Sequence, residues 1–216
     1  MDDSARRSFF EWGETEIAAR FAFINRIYGE TPGGTAVDFG CGVGRLMIPL
    51  SRRFERVVGV DVSPAMIAEA QKNCQAFGVR EPIFFRTPDE IEPNSVDFVH
   101  SSIVFQHIRP SQGLRIMEEL LGKLRDKGVA ALHVLSFRKL SAMKELVYQI
   151  KSHVPGGLLA FNLMQGKKLS EPHMEMNNYP LDQVLAIFIR KQMTKLVLLP
   201  ARGRTSDCFV FGQREL

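Results

Sequence analysis

Two carboxylates flanking a glycine loop are the residues of this chain best suited to chemistry. The run Val37-Asp38-Phe39-Gly40-Cys41-Gly42-Val43-Gly44 is followed, seventeen residues after Gly44, by Asp61. Each acid ends an apolar run, the second being Val57-Val58-Gly59-Val60. Glycines let a backbone approach a ligand without a Cβ clash and adopt positive φ. A carboxylate directly before such a loop repels a pyrophosphate and favours a cation. Asp61 is placed to accept hydrogen bonds from two ribose hydroxyls. A dinucleotide fingerprint needs a glycine three residues after Gly42, and Arg45 stands there. An adenosyl sulfonium, cationic and with an unmodified ribose, meets these conditions.

The elements that must position these acids can be read from periodicity. Residues 8–28 carry Phe10, Ile17, Phe21, Ile24 and Ile27 on one helical face, and Thr31-Pro32-Gly33-Gly34 stops the helix. A short buried strand is expected at 35–39, a helix from Arg45 to about Phe54, and a second strand at 57–61. Ser63 and Pro64 open a further helix as N-cap and first helical residue, with Gly78 as its stop. Ile83-Phe84-Phe85 and 96–99 read as strands three and four. A helix from Pro110 runs to near Asp126-Lys127-Gly128, and strand five spans Val129 to Leu135. Strands that are nearly continuous apolar runs and alternate with helices predict a parallel sheet covered on both faces.

After strand five the rhythm changes. An amphipathic helix is expected at 138–151, and Pro155-Gly156-Gly157 and the apolar stretch Leu158 to Met164 follow. Residues of about 137–178 read as a lid-like insertion or a packing extension. A helix from Leu181 to Met193 and an antiparallel hairpin, 195–199 with 207–211, close the pattern. The expectation is one domain over 1–216 with a helical N-terminal cap at about 8–30.

With these motifs in place, the chain resembles the class I S-adenosylmethionine-dependent methyltransferases. The resemblance rests on Asp38-Phe39-Gly40-Cys41-Gly42-Val43-Gly44-Arg45 and on Val60-Asp61-Val62-Ser63-Pro64-Ala65-Met66. Asn94 to Ser101 is similar to that family's fourth-strand motif, and Phe105-Gln106-His107-Ile108 to the segment after it. It spans about residues 35–135. It implies an α/β fold, a Rossmann-like three-layer sandwich with a mostly parallel seven-stranded sheet and an antiparallel C-terminal strand. It implies S-adenosyl-L-methionine as cofactor. Gly40, Cys41, Gly42 and Gly44 would line its methionine and ribose portions, Asp38 would orient the amino-acid part, and Asp61 would hold the ribose hydroxyls. Val62 and Met66 would pack on the adenine, and Ser101 and Ser102 would stand near the amino acid and sulfur. Where the family often places an acid against the adenine amino group, this chain reads Arg86-Thr87-Pro88-Asp89. Thr87 and Pro88 take that place, or Asp89 substitutes.

Methyl transfer from a sulfonium is an in-line displacement with a good leaving group, so positioning supplies much of the rate. A base is needed where the acceptor must lose a proton. Of five histidines, His107, just after strand four, ranks first as base. His133 inside strand five reads as a core residue, and Asp97 as a residue that fixes the start of strand four. His173 and Glu175 lie after the insertion, and no metal site is expected. Cys41, Cys74 and Cys208 form no CxxC pair, which suits a reducing cytoplasm. No apolar run reaches the roughly 18 residues of a membrane span. Residues 1–108 carry net charge −4 and residues 109–216 carry +8.

The favoured reading is a cytoplasmic methyltransferase acting on a hydroxyl or amine of a small-molecule or sugar-like acceptor. The basic half alone makes a nucleic-acid partner the weaker reading, because no arginine-rich run or aromatic interleaving accompanies it. An RNA or other macromolecule methyltransferase, a non-catalytic cofactor-binding scaffold and a nicotinamide oxidoreductase are the alternatives; Asp38 and Arg45 count against the last.

Overall fold

The structure is a computed structural model, and it describes residues 3–30, 33–138, 176–200 and 205–216. The described elements are α1 (Asp3–Tyr28), β1 (Thr35–Phe39), α2 (Met47–Leu50), β2 (Arg56–Val60), α3 (Pro64–Ala76), β3 (Ile83–Phe85), β4 (Val96–Ser101), α4 (Pro110–Lys123), β5 (Leu124–Arg138), α5 (Leu181–Arg190), β6 (Met193–Pro200) and β7 (Thr205–Arg214). They build a seven-stranded sheet in the order β3-β2-β1-β4-β5-β7-β6. The first five strands are parallel, and β7 runs antiparallel between β5 and β6. The expected α/β sandwich, mostly parallel sheet and closing hairpin are therefore observed. Arg138, expected to open a helix at 138–151, ends β5 instead; the rest of that helix and most of the expected insertion lie outside the described residues.

The sheet has an apolar layer on each side. On one, Ile17, Phe21 and Ile24 of α1 pack with Met47, Cys74, Ala36, Phe98, Ala131 and Phe211. On the other, Val37, Val99 and Leu132 pack with Met117 and Leu120 of α4 and Val184 and Phe188 of α5. Residue parity along each strand decides the face, as period-2 side-chain alternation requires.

Two expected boundaries are corrected. The helix foreseen from Arg45 to Phe54 is a single turn, Met47–Leu50. Pro49 has no N–H and its ring would clash with the carbonyl four residues back, so the helix cannot start at Arg45. Downstream, the Ser51 hydroxyl donates to the Ile48 carbonyl at 2.7 Å, and tight turns bring the chain to β2. The helix from Pro110 ends at Lys123, not near Gly128. Fully buried Leu124 already pairs with Val96, and a bulge with Lys127 at φ +61° absorbs the residues before Val129.

Asp97 does fix the start of β4. Its Oδ2 accepts from the Thr35 backbone N–H at 2.7 Å, and Arg125 pairs with its other oxygen. This fully buried carboxylate thus ties β1, β4 and β5 together at the end of the sheet away from the glycine loop.

Candidate active site

The carboxyl ends of β1, β2 and β4 gather most of the residues singled out from the sequence. Asp38 and Phe39 end β1, and the chain then turns sharply. Gly40 and Cys41 both donate their backbone N–H to the Val60 carbonyl, at 2.7 and 3.1 Å. Gly40, Gly42 and Gly44 have φ of +73°, +52° and +81°. Only at Gly40 is the space closed as well: a Cβ there would lie 2.2 Å from Val104 Cγ2. At Gly42 a Cβ would meet nothing within 4 Å, so the loop presents bare backbone toward open space.

Asp61 closes the loop from β2. Its Oδ2 accepts from the Gly42 N–H at 3.0 Å and its Oδ1 from the Ser63 N–H at 2.9 Å. A carboxylate has about four acceptor positions, so two remain for a ligand's hydroxyls. Ser63 caps α3, accepting from the Met66 N–H at 3.4 Å with Pro64 at the first helical position. Val62 is 72% exposed and Met66 43% exposed, an apolar rim beside the loop. These features fit an adenosyl group bearing a cation: approachable backbone, two carboxylates and an apolar edge.

The adenine side stands differently from the rest. Thr87 donates its backbone N–H to Glu90 Oε1 at 3.3 Å, its hydroxyl lies 3.4 Å from the same oxygen, and Pro88 is buried in the turn. Asp89 is exposed and held below the usual carboxylate range, chiefly by a hydrogen bond from Thr87. Both residues are exposed, but Thr87 is committed to its own turn.

Sequence reasoning missed a belt of buried polar groups under α1, at the same sheet edge. Asp38 and His100 are register partners on adjacent strands, and Asp38 Oδ1 lies 2.9 Å from His100 Nδ1. Glu16 of α1 receives the Ser102 hydroxyl at 2.9 Å and Arg20 Nη2 at 2.6 Å, and Arg45 Nη1 lies 3.1 Å from its other oxygen. Burial works to raise the Glu16 pKa, but Arg20, Ser102 and Arg45 hold it below the usual range. Arg20 stacks 3.4 Å above the Phe209 ring. Arg45 lies over Trp12, which is 59% exposed, at 4.8 Å.

His133 and Asp207 extend the belt across β5 and β7, with Nε2 to Oδ2 at 3.1 Å. His133 is buried, as expected of a core residue, but its Nδ1 finds no hydrogen-bond partner among the described residues. Burial holds its pKa below the ordinary histidine value, and Asp207 offsets this in part. Isolated polar residues inside apolar strands were the available signal for His100 and His133; nothing in the sequence linked either to α1.

His107 sits in a short 3-10 turn after β4, with Nε2 3.1 Å from Gln106 Nε2. The Gln106 carbonyl accepts the Asn177 backbone N–H at 2.7 Å, and Tyr179 donates its hydroxyl to the Ile108 carbonyl at 2.8 Å. The chain returning to the sheet therefore clasps the His107 loop. Ile103 just before it is a β-branched residue at φ +61° and 47% exposed. Cys41 is buried, and burial followed by the charges of Asp38 and Asp61 pushes its thiol pKa up, so it acts as filler. No group of three metal-ligating side chains occurs among the described residues.

Comparison with known proteins agrees with this geometry. Residues 36–128 match the methyltransferase domain family. The chain is 25% identical over 203 residues to the carboxy-S-adenosyl-L-methionine synthase of Wolinella succinogenes, covering 92% of this chain and 80% of that protein. It is 33% identical over 102 residues to the ribosomal protein L11 methyltransferase of Tolumonas auensis, covering 46% of this chain and only 33% of that protein. Its fold superposes on magnesium protoporphyrin IX methyltransferase from Synechocystis PCC 6803, solved with bound S-adenosylhomocysteine, with a TM-score of 0.64 and 17% identity over 100% of this chain and 89% of the other. Motif, topology and relatives converge on the class I S-adenosylmethionine-dependent methyltransferases, and residues 36–128 of this chain match a methyltransferase domain.

Proposed function

We propose that this enzyme methylates a hydroxyl or amine of a small molecule with an apolar face. The observation that carries the acceptor reading is Ile103. A β-branched residue in the left-handed region is a genuine outlier, and such strain concentrates at functional sites. Here it holds an exposed apolar side chain at the carboxyl end of β4, next to Ser102 and His107. Trp12, Val62 and Met66 add exposed apolar surface on α1 and beside the glycine loop. The relative from Synechocystis takes magnesium protoporphyrin IX, itself a small molecule.

S-adenosylmethionine, when bound, supplies a methyl group on a positively charged sulfur. The rest is the work of the chain. Asp38 offers charge to the amino-acid end, with Ser101 and Ser102 beside it. Asp61 receives the ribose hydroxyls, and the bare backbone from Gly40 to Gly44 lies against the ligand. Val62 and Met66 cover the adenine, and Thr87, Pro88 and Asp89 border it. His107 takes the acceptor's proton on Nε2, the ring nitrogen that lies 3.1 Å from the Gln106 side-chain amide and must exchange that contact for the acceptor. The Asn177 and Tyr179 contacts hold that loop in place.

The test begins with a calorimetric titration of S-adenosylhomocysteine, a nicotinamide dinucleotide serving as control. Binding of the first alone is expected. An acceptor screen at about 50 and 200 mM salt follows. Turnover of a small acceptor that is insensitive to salt supports the reading. A macromolecular acceptor, which the +8 charge of residues 109–216 and the ribosomal-protein relative favour, would lose rate steeply over that range. With the acceptor in hand, His107→Ala should lower kcat by about 100-fold while changing acceptor KM little. Full activity in that variant would return His107 to a structural role.

A further inference from the structure

Asp38 does not stand alone at the end of β1. Its Oδ1 is 2.9 Å from Nδ1 of His100, its register partner on β4, and both residues are buried. A carboxylate only accepts, so Nδ1 carries the proton of this bond. His100 Nε2 is also buried and finds no partner among the described residues. A proton there would be a buried donor without an acceptor, whereas a bare lone pair leaves no N–H unsatisfied. The His100 ring lies between the Phe98 and Phe209 rings, at 6.0 and 6.4 Å, and Glu16 and Arg20 on α1 are the charges that act on the pair. The imidazole edge thus fixes one carboxylate oxygen of Asp38 and leaves the other to turn toward the loop.

Resting on the assignment of Asp38 to the cofactor's amino-acid end, we propose that His100 is a positioning residue. Its Nδ1–H sets the orientation in which Asp38 meets the cofactor's ammonium group. A side chain without that N–H leaves Oδ1 unsatisfied and Asp38 free to rotate. A side chain with an amide N–H at the same distance from the backbone restores it, and asparagine is that side chain.

Two probes separate orientation from general stability. S-adenosylhomocysteine has the amino-acid portion; methylthioadenosine shares the adenosine and thioether but lacks it. Calorimetry on His100→Leu should show about a tenfold loss of affinity for S-adenosylhomocysteine and less than a twofold change for methylthioadenosine. His100→Asn should bring the first value back to within about twofold of wild type. Equal losses for both probes, or none for either, overturn the proposal. Nitrogen-15 histidine spectra of the wild-type protein give a readout that does not depend on a variant folding. They should show a protonated Nδ1 and a bare Nε2 at His100, and the opposite tautomer overturns the proposal. Asp38→Asn distinguishes the two levels. If it leaves S-adenosylhomocysteine affinity unchanged, the assignment of Asp38 itself fails. If it weakens binding while His100→Leu does not, only the role of His100 falls.

Discussion

The glycine-loop side of the sheet edge and the belt beneath α1 are neighbours built on opposite plans. On the loop side, contacts are between backbone and nearby side chains: Ser63 to Asp61 is two residues apart and Gly42 to Asp61 nineteen. In the belt, side chains meet side chains from remote segments: Asp38 and His100 are 62 residues apart, His133 and Asp207 74, and Glu16 and Ser102 86. A surface made to take a ligand against its backbone must be written in contiguous glycines and caps. A surface made of mutual side-chain contacts can be scattered along the chain. The loop side spends its polar groups on presenting a shape, and the belt spends them on one another.

The sharpest way to break this contrast is Asp61→Ala. It removes the acceptors for two ribose hydroxyls and for two backbone N–H groups, and S-adenosylhomocysteine affinity should fall by more than about 100-fold with the fold intact. Unchanged affinity would mean that the loop side is not the ligand side. Glu16→Leu probes the other plan. It leaves the part-buried Arg20 and Arg45 without their common carboxylate, so denaturant unfolding should show a loss of about 2 to 3 kcal/mol. A loss of cofactor affinity with stability retained would extend the ligand-binding surface from Asp38 and Ser102 to Glu16. Gly40→Ala comes next, at about 2 kcal/mol, from the overlap with Val104 and from a positive φ. Adding Val104→Ala should recover part of it in a double-mutant cycle; strict additivity would show that backbone strain alone is responsible.

The smallest effect is in pH dependence. Burial holds the His133 pKa below its ordinary 6.5, so the unfolded chain binds this proton at a higher pH than the folded one. Stability should therefore fall as pH drops below about 6.5, toward the lower folded value. Glu16, held below its ordinary 4.5, contributes a separate loss only below that point. His133→Asn should flatten the slope of urea midpoints between about pH 6.5 and 5. An unchanged slope would show that His133 takes up its proton within the fold.

Legibility in the sequence follows the same division. β1 and β3 fall on their expected residues because each is a short apolar run closed by turn residues or an acid. The Ser63 and Pro64 cap was readable because capping is local. The loss of the Arg45–Phe54 helix was partly readable in Pro49, but how early the chain must turn depends on where β2 pairs with β1. The early end of α4 was not readable, since Leu124 joins β5 only by pairing with Val96 across 28 positions. His133 looked like core because its partner Asp207 lies on a strand that runs back from the far end of the sequence.

That returning strand has a consequence for synthesis. β7 follows every other described strand in the chain, yet it sits inside the sheet, between β5 and β6. Until its residues leave the ribosome, the long β5 exposes an unpaired edge and the apolar layer that holds Phe98 and Ala131 lacks Phe209 and Phe211. The nascent chain must therefore hold a nearly finished, sticky sheet in waiting, a state open to chaperones and to pairing with other chains. Completion comes as a late insertion into the middle rather than as growth at an edge.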